Sequence, residues 1–209
     1  MTSAHAGLFI TFEGGDGSGK STQSSRLAEW LQNAGREVVL AREPGGTDLG
    51  VEIRHMVLHR RGHIAPRAEA LLYAADRAHH IATVVRPALE RGAVVVQDRY
   101  VDSSVAYQGA GRELDPEEVR GLSLWAAEGL LPDLTILLDL TAEASRARLG
   151  AQERVYDRLE EEGGDFPARV RAKYLELAAA EPQRFLVLDA ALPPDVLAAS
   201  IRDRVLALI

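Results

Sequence analysis

The feature that most constrains the fold of this chain is a glycine-rich phosphate-binding motif near its N-terminus. Residues 14–22 read GGDGSGKST and fit the pattern G-x-x-x-x-G-K-[ST]. The motif follows an apolar run at residues 8–13 that predicts a strand, and it precedes a stretch with helical spacing of apolar residues. Because glycines between a strand and a helix let backbone N–H groups surround a phosphate, the chain is predicted to bind a nucleotide.

The rest of the sequence alternates in the same way, with short β-branched runs followed by longer amphipathic stretches. The predicted strands are residues 8–13, 37–41, 93–97, 134–140 and 185–188. Further helices are predicted at 65–90, 115–128, 166–180 and 195–208, after a first helix that ends before Gly35. This pattern predicts an α/β fold with a five-stranded parallel sheet flanked by helices. No repeat or linker divides the chain, so residues 1–209 are predicted to form a single domain.

Composition narrows the possible functions. With 31 acidic and 24 basic residues the net charge is −7, which disfavours a protein that binds nucleic acid generically. The chain has no cysteine, which excludes disulfides, thiolate metal sites and a cysteine nucleophile. No apolar run is long enough for a membrane span and no leader is evident, so we expect a cytoplasmic protein without a membrane partner.

The phosphate-binding motif predicts the roles of its own residues. Lys20 is predicted to bind the β- and γ-phosphates of ATP, and the Ser21 hydroxyl to bind Mg²⁺. Lys20 is one of only two lysines among 24 basic residues, which favours a requirement for a compact ammonium group at this position. The predicted ATP-binding residues are Gly14, Gly15, Asp16, Gly17, Ser18, Gly19, Lys20, Ser21 and Thr22.

Two acidic residues near the phosphate-binding motif need an explanation, because a carboxylate repels phosphate. The Asp16 carboxylate lies inside an anion-binding loop and therefore needs another partner, either a sugar hydroxyl or Mg²⁺-bound water. Asp98 ends a predicted strand and is a candidate Mg²⁺ ligand, directly or through water. Asp139 and Asp189 also lie near strand ends, so position in the sequence does not choose among the three.

Several blocks in the same order identify a family resemblance. Their sequences are FEGGDGSGKST at 12–22, REPGGT at 42–47, DRY at 98–100, SSVAYQG at 103–109, DRLE at 157–160 and RAKYLEL at 171–177. With these blocks the chain resembles bacterial thymidylate kinases that carry basic residues in a lid. The resemblance implies ATP-dependent phosphorylation of dTMP to dTDP in dTTP synthesis, with Mg²⁺ as cofactor and a homodimeric assembly. It also implies a short mobile lid at about residues 150–165.

The resemblance further assigns roles to individual residues. Arg42 and Arg99 would bind the acceptor phosphate, Asp16 the deoxyribose 3′-hydroxyl, and Tyr73 would stack on thymine. Arg77 would contact a base carbonyl, Ser104 and Gln108 would lie near the base edge, and Tyr107 would exclude a ribose 2′-hydroxyl. The full dTMP-binding set is Asp16, Arg42, Pro44, Tyr73, Arg77, Arg99, Ser104, Tyr107 and Gln108. Together with the motif and the strand end, the resemblance gives Lys20, Arg99, Arg154 and Arg158 as candidate catalytic residues and Ser21 and Asp98 as candidate metal ligands.

Other readings of the sequence stay open. A different small-molecule kinase, such as a deoxynucleoside kinase, would share the phosphate-binding loop, and so would a regulatory module that binds ATP without transferring phosphate. His55, His59 and His63 recur at four-residue intervals, but no Glu-x-x-His motif or cysteine completes a metal site there. We expect Arg146 and Arg148 to be surface arginines, and the pair at residues 79–80 to lie on a solvated helix face.

Overall fold

The computed structural model of the chain describes residues 6–60, 62–150, 158–159 and 162–209. It confirms a parallel sheet of five strands in the order β2-β3-β1-β4-β5. The strands are β1 (Leu8–Glu13), β2 (Val38–Arg42), β3 (Val94–Asp98), β4 (Leu134–Asp139) and β5 (Phe185–Asp189). Each prediction agrees with the structure to within one residue at either end, because each strand coincides with a compact apolar run.

Helices cover both faces of this sheet. They are α1 (Lys20–Asn33), α2 (Asp48–Arg54), α3 (Pro66–His80), α4 (Arg86–Glu90), α5 (Val101–Ser104), α6 (Pro116–Ala126), α7 (Ala142–Gly150), α8 (Phe166–Ala180) and α9 (Pro194–Leu206). Segments of π-helix at His55–His59, Ile81–Val85 and Val105–Gly111 continue α2, α3 and α5. The predicted helix at 65–90 is therefore one continuous rod made of α3, a π-helical turn and α4. Helices α2, α5 and α7 were not predicted.

The central strand β1 is buried along its whole length, and its side chains alternate between two cores. Phe12 and its neighbours on the same face pack against α1 and α9 through residues that include Leu31 and Ile201. Phe9, on the other face, packs against Val85 and Tyr100. This burial on both faces explains why the strand reads as a nearly continuous apolar run.

The strand order brings the functional motifs to one edge of the sheet. In the register of the sheet Asp98 of β3 lies opposite Phe12 of β1 on one side and opposite Arg42 of β2 on the other. The carboxyl ends of β1, β2 and β3 therefore meet where the phosphate-binding loop leaves β1. Ligands of open parallel sheets bind in the crevice outside such strand ends. Among the residues that the structure describes, no helix is both long enough and apolar enough to cross a membrane.

Candidate active site

A cavity of about 530 Å³ opens at this edge of the sheet, a size that suits a small-molecule site. All nine residues predicted to bind the acceptor line it, together with Lys20, Ser21 and Asp98. Side chains that the sequence did not single out, among them Arg54 and Ser103, complete the wall. Gly14 and Gly15 instead face a smaller neighbouring cavity of about 140 Å³, on the side of α7 and α8. The structure thus brings the predicted acceptor residues and six of the nine predicted ATP-binding residues into one space, whereas Ser18 lines neither cavity.

The phosphate-binding loop has the backbone geometry that anion binding requires. Gly14, Gly17 and Gly19 have φ angles of 134°, 73° and 94°, which lie in the region that favours glycine. Gly19 caps α1, and no side chain caps the free N–H groups of that helix. These groups and the partial positive charge of the helix N-terminus can therefore bind a phosphate.

Lys20 is held at the centre of this loop. Its Nζ donates hydrogen bonds to the carbonyl oxygens of Gly14 and Gly15 at 3.1 and 2.8 Å. Burial lowers the pKa of Lys20, and the nearby charge of Arg99 lowers it further. Lys20 is 7% exposed, so the loop encloses its side chain closely. The space fits a compact ammonium group on an unbranched alkyl chain.

The structure distinguishes the three acidic residues at the strand ends. Ser21 Oγ donates to Asp98 Oδ2 at 2.8 Å, and Asp98 Oδ1 is buried with no hydrogen-bond partner in the described part of the chain. Asp139 instead accepts two hydrogen bonds from Arg171, and Asp189 accepts the Ala191 N–H. Oxygen ligands beside a phosphate site fit Mg²⁺, which usually takes one or two protein oxygens plus substrate phosphates. Ser21 and Asp98 together fit such an ion.

Arg99 lies between the loop and the acceptor side of the cavity. One terminal nitrogen of its guanidinium donates to Asp16 Oδ1 at 2.5 Å and to Tyr107 Oη at 3.1 Å. Although burial alone raises the pKa of Asp16, the charges of Arg99 and Lys20 outweigh it and hold this pKa below its usual value. Asp16 is therefore an ionised carboxylate. The ion pair with Arg99 compensates for its negative charge inside an anion-binding loop.

Side chains of α3 hold the block at residues 42–47 in place. The buried Glu43 carboxylate accepts a hydrogen bond from Arg77 Nε at 2.9 Å and contacts His80 Nδ1 at 3.0 Å. His80 has no exposed surface, so the expectation that it lies on a solvated helix face is wrong. A buried carboxylate needs donors close by, and His80 provides one from the inward face of α3.

Close packing explains a glycine in this block. A Cβ atom on Gly46 would lie 2.6 Å from His80 Nε2 and 2.9 Å from the Arg42 carbonyl oxygen. Real Cβ atoms do not approach other heavy atoms so closely, and the buried imidazole is held in place by Glu43. Gly46 is therefore required for the backbone that carries Arg42 to rest on α3.

We predict that Gly46→Ala lowers the free energy of unfolding by roughly 1–3 kcal/mol, because the added methyl group has to displace His80 or the Arg42 carbonyl. The control is Gly121→Ala on α6, where a Cβ would meet no atom within 4 Å and φ is not positive. That variant is expected to be unchanged or stabilised by up to about 1 kcal/mol. Urea unfolding measures both; equal stabilities of the two variants would contradict the packing argument.

Of the three arginines assigned to dTMP, Arg77 and Arg42 differ in how firmly the protein holds their side chains. Arg77 is 1% exposed, and its guanidinium donates to Glu43, Ser123, Ser104 and the Tyr100 carbonyl. Arg42 is exposed at the cavity wall and donates no hydrogen bond to any described residue. Arg42 is therefore free to bind a ligand, whereas Arg77 is fixed by the protein; its contact with a base carbonyl stays a prediction.

Tyr73 and Gln108 line the same cavity as the phosphate-binding loop. Tyr73 packs against Ile53, Val57 and Leu58 and is 9% exposed, yet it still lines the cavity, so core packing does not exclude contact with a ligand at this residue. Gln108 is 2% exposed and donates from Nε2 to Glu69 Oε1 at 3.0 Å. Both residues are thus in the cavity wall, and their contact with a base stays a prediction.

The predicted lid falls mostly outside the described residues, and so does Arg154. Arg158 is described: it donates to the Val57 carbonyl at 2.9 Å and forms an ion pair with the buried Glu69. It is not among the described residues that line the 530 Å³ cavity. Its role at the ATP phosphates therefore stays a prediction, and it requires Arg158 to leave Glu69.

Helix α7 supports the phosphate-binding loop in a way that the sequence did not suggest. Arg148 donates to the carbonyl oxygens of Gly17 and Ala190 at 3.2 and 2.7 Å, and Ser145 Oγ donates to the Asp16 carbonyl at 2.6 Å. Arg148 is only partly exposed and bonded to backbone carbonyls, so the expectation that it is a surface arginine is wrong. Arg146, by contrast, is exposed and bonds to its own helix.

Comparisons with known proteins agree with this geometry. A model of the thymidylate kinase family matches residues 12–201 of the chain. The chain is 74% identical to a thymidylate kinase from Leifsonia xyli and 72% identical to one from Clavibacter sepedonicus; each alignment covers 95% of this chain and 94% of the relative. A solved thymidylate kinase from Ehrlichia chaffeensis superposes with a TM-score of 0.78 at 30% identity, covering 95% of this chain and 98% of the other.

Proposed function

The chain belongs to the thymidylate kinase family, and we infer that it transfers the γ-phosphoryl group of ATP to dTMP, giving dTDP for dTTP synthesis. We propose that Arg42 and Arg99 bind the acceptor phosphate, while Lys20 and the loop backbone bind ATP. The observation that carries this proposal is the convergence of all three cations on one cavity at the carboxyl ends of β2, β3 and β1. Planar guanidinium groups suit a phosphate dianion, and a compact ammonium suits the loop.

The chemistry needs alignment more than it needs a base. The second pKa of a phosphate monoester is about 6, so the acceptor oxygen is already ionised near neutral pH. The residues of the cavity then have to hold the two phosphates in line and to neutralise the charge that accumulates between them. Lys20 and the α1 N-terminus act on the donor, and Arg42 and Arg99 act on the acceptor. When bound at Ser21 and Asp98, Mg²⁺ would neutralise the β- and γ-phosphate oxygens.

Asp16 and Tyr107 are proposed to bind the sugar. Asp16 is paired with Arg99, so an acceptor phosphate that binds Arg99 frees one carboxylate oxygen for the 3′-hydroxyl. The Tyr107 ring lies beneath the Arg99 guanidinium, with its centroid 4.8 Å from the central carbon, and its hydroxyl donates to Asp16 at 3.3 Å. A ring held in this way leaves little space for a 2′-hydroxyl. The acceptor itself would then rearrange the Asp16–Arg99 pair.

The assembly and the location also stay proposals. Leu71 on α3 and Trp125 on α6 are 57% and 80% exposed, and these two helices pack against each other. Such apolar side chains on adjoining helices favour contact with a second copy of the chain. The proposed partners are therefore ATP, dTMP and a second subunit. We place the enzyme in the cytoplasm, where ATP is the available donor.

A substrate panel tests the proposed function. ADP release is measured with dTMP, thymidine, dUMP and CMP as acceptors at equal concentration, with ATP and Mg²⁺ present. We expect dTMP to be turned over fastest and thymidine not to be turned over, because thymidine offers no phosphate to Arg42 and Arg99. Turnover of thymidine without dTMP would indicate a nucleoside kinase, and ATP binding without any turnover would indicate a regulatory module.

A further inference from the structure

A carboxylate with no exposed surface lies directly behind the acceptor arginine. Glu13 is the last residue of β1, and its Oε1 accepts the Tyr100 backbone N–H at 2.8 Å. Its Oε2 accepts hydrogen bonds from Ser103 Oγ at 2.5 Å and from Tyr174 Oη at 2.9 Å. Burial, together with the charge of Asp102, raises the pKa of Glu13 to about 7. The protein thus places a costly buried carboxylate against three neutral donors.

All three donors to Glu13 either contact the Arg99 side chain or belong to the peptide next to it. The second terminal nitrogen of its guanidinium lies 3.2 Å from Ser103 Oγ and 3.4 Å from Tyr174 Oη, while these two hydroxyls are 2.7 Å apart. The Tyr100 N–H belongs to the peptide that follows Arg99, and Arg99 itself has a φ of 67°. Non-glycine residues adopt this left-handed conformation rarely, and surrounding contacts must hold it.

From this geometry we propose that Glu13 is a positioning residue for the acceptor phosphate. It fixes the left-handed turn at Arg99 through the Tyr100 N–H, and it orients the guanidinium through the hydroxyls of Ser103 and Tyr174. Glu13 touches neither substrate nor the reacting atoms. The inference rests on the proposed role of Arg99 and explains how its guanidinium is oriented toward the acceptor phosphate.

The test measures KM for dTMP and for ATP at pH 8, where Glu13 is ionised. Tyr174→Phe, Ser103→Ala and Glu13→Gln each weaken the link to Arg99. We expect each to raise KM for dTMP about tenfold and to leave KM for ATP within about twofold, because a hydrogen bond in a charged network contributes roughly tenfold in affinity. The matched control is Thr11→Val, which removes a buried hydroxyl of β1 that lies 3.0 Å from Thr135 Oγ1, outside the cavity, and should change neither constant.

A double-mutant cycle separates positioning from general support of the fold. In an Arg99→Ala background, Tyr174→Phe should raise KM for dTMP by less than twofold, since the group that it orients is gone. Additive effects, equal rises in both KM values, or an unchanged KM for dTMP in Ser103→Ala and Tyr174→Phe would overturn this inference alone. An Arg99→Ala variant with unchanged KM for dTMP would instead overturn the proposed role of Arg99, and this inference with it.

Discussion

Lys20→Arg is expected to remain folded and to lose roughly a thousandfold in kcat, the scale of removing a preorganised charge from a developing anion. The ammonium of Lys20 fits between two loop carbonyls, in a side chain that is almost completely buried. A guanidinium group is planar and wider, so it cannot occupy the same point without pushing the loop apart. Charge is conserved in this variant, which isolates the geometric requirement.

The other lysine of the chain supplies a matched control. Lys173 Nζ pairs with Glu176 at 2.7 Å one turn along α8, outside the cavity. Lys173→Arg should therefore keep kcat within about twofold, because an ion pair to a Glu176 side chain that is 68% exposed contributes little. Steady-state kinetics and a thermal melt of both variants make the comparison. A Lys20→Arg enzyme with near wild-type kcat would show that the loop does not need a compact ammonium.

Arg99→Ala is expected to raise KM for dTMP at least a hundredfold while KM for ATP changes by less than about threefold. Two charge-assisted hydrogen bonds to a phosphate contribute roughly 3 kcal/mol or more, which corresponds to this factor. The loss also leaves Asp16 without its ion-pair partner on the acceptor side, so the sugar contact should weaken as well.

Arg91→Ala is the control for Arg99→Ala. Arg91 pairs with Glu37 at the surface at 2.7 Å, with 48% of its side chain exposed, so its removal should alter neither KM. Initial rates across a grid of dTMP and ATP concentrations determine both constants. Equal increases in the two KM values of Arg99→Ala would contradict an acceptor-specific role.

The sheet was predictable because strand identity depends on local apolar runs, whereas three helices were not. Helix α5 has four residues and α2 has seven, and both continue as π-helical segments. Such short helices have little intrinsic stability and depend on tertiary packing, which for α2 is against α3 and for α5 against α6 and α8. Helix α7 lacks a regular apolar stripe, since Leu149 is its only described buried residue.

The residues of the candidate site also fall into a group that was predictable from the sequence and a group that was not. Lys20 and Ser21 were predictable from a contiguous motif, and the acceptor residues from a family resemblance. The supporting residues were not, because their partners are distant in the sequence: Glu13 and Tyr174 are 161 residues apart, and Glu43 and His80 are 37 apart. One signal was present. Glu13 is the only charged residue in a strand whose other residues are apolar or threonine, which marks a buried carboxylate with a specific task.

The most direct test of this account is a crystal structure with dTMP and a non-hydrolysable ATP analogue. The account predicts the dTMP phosphate on Arg42 and Arg99, an Asp16 oxygen on the 3′-hydroxyl, and Lys20 moved from the loop carbonyls to the ATP phosphates. It also predicts that Glu13 keeps its bonds to Tyr100, Ser103 and Tyr174. A dTMP phosphate bound away from Arg99, with the Asp16–Arg99 pair intact, would contradict the assignment of the site.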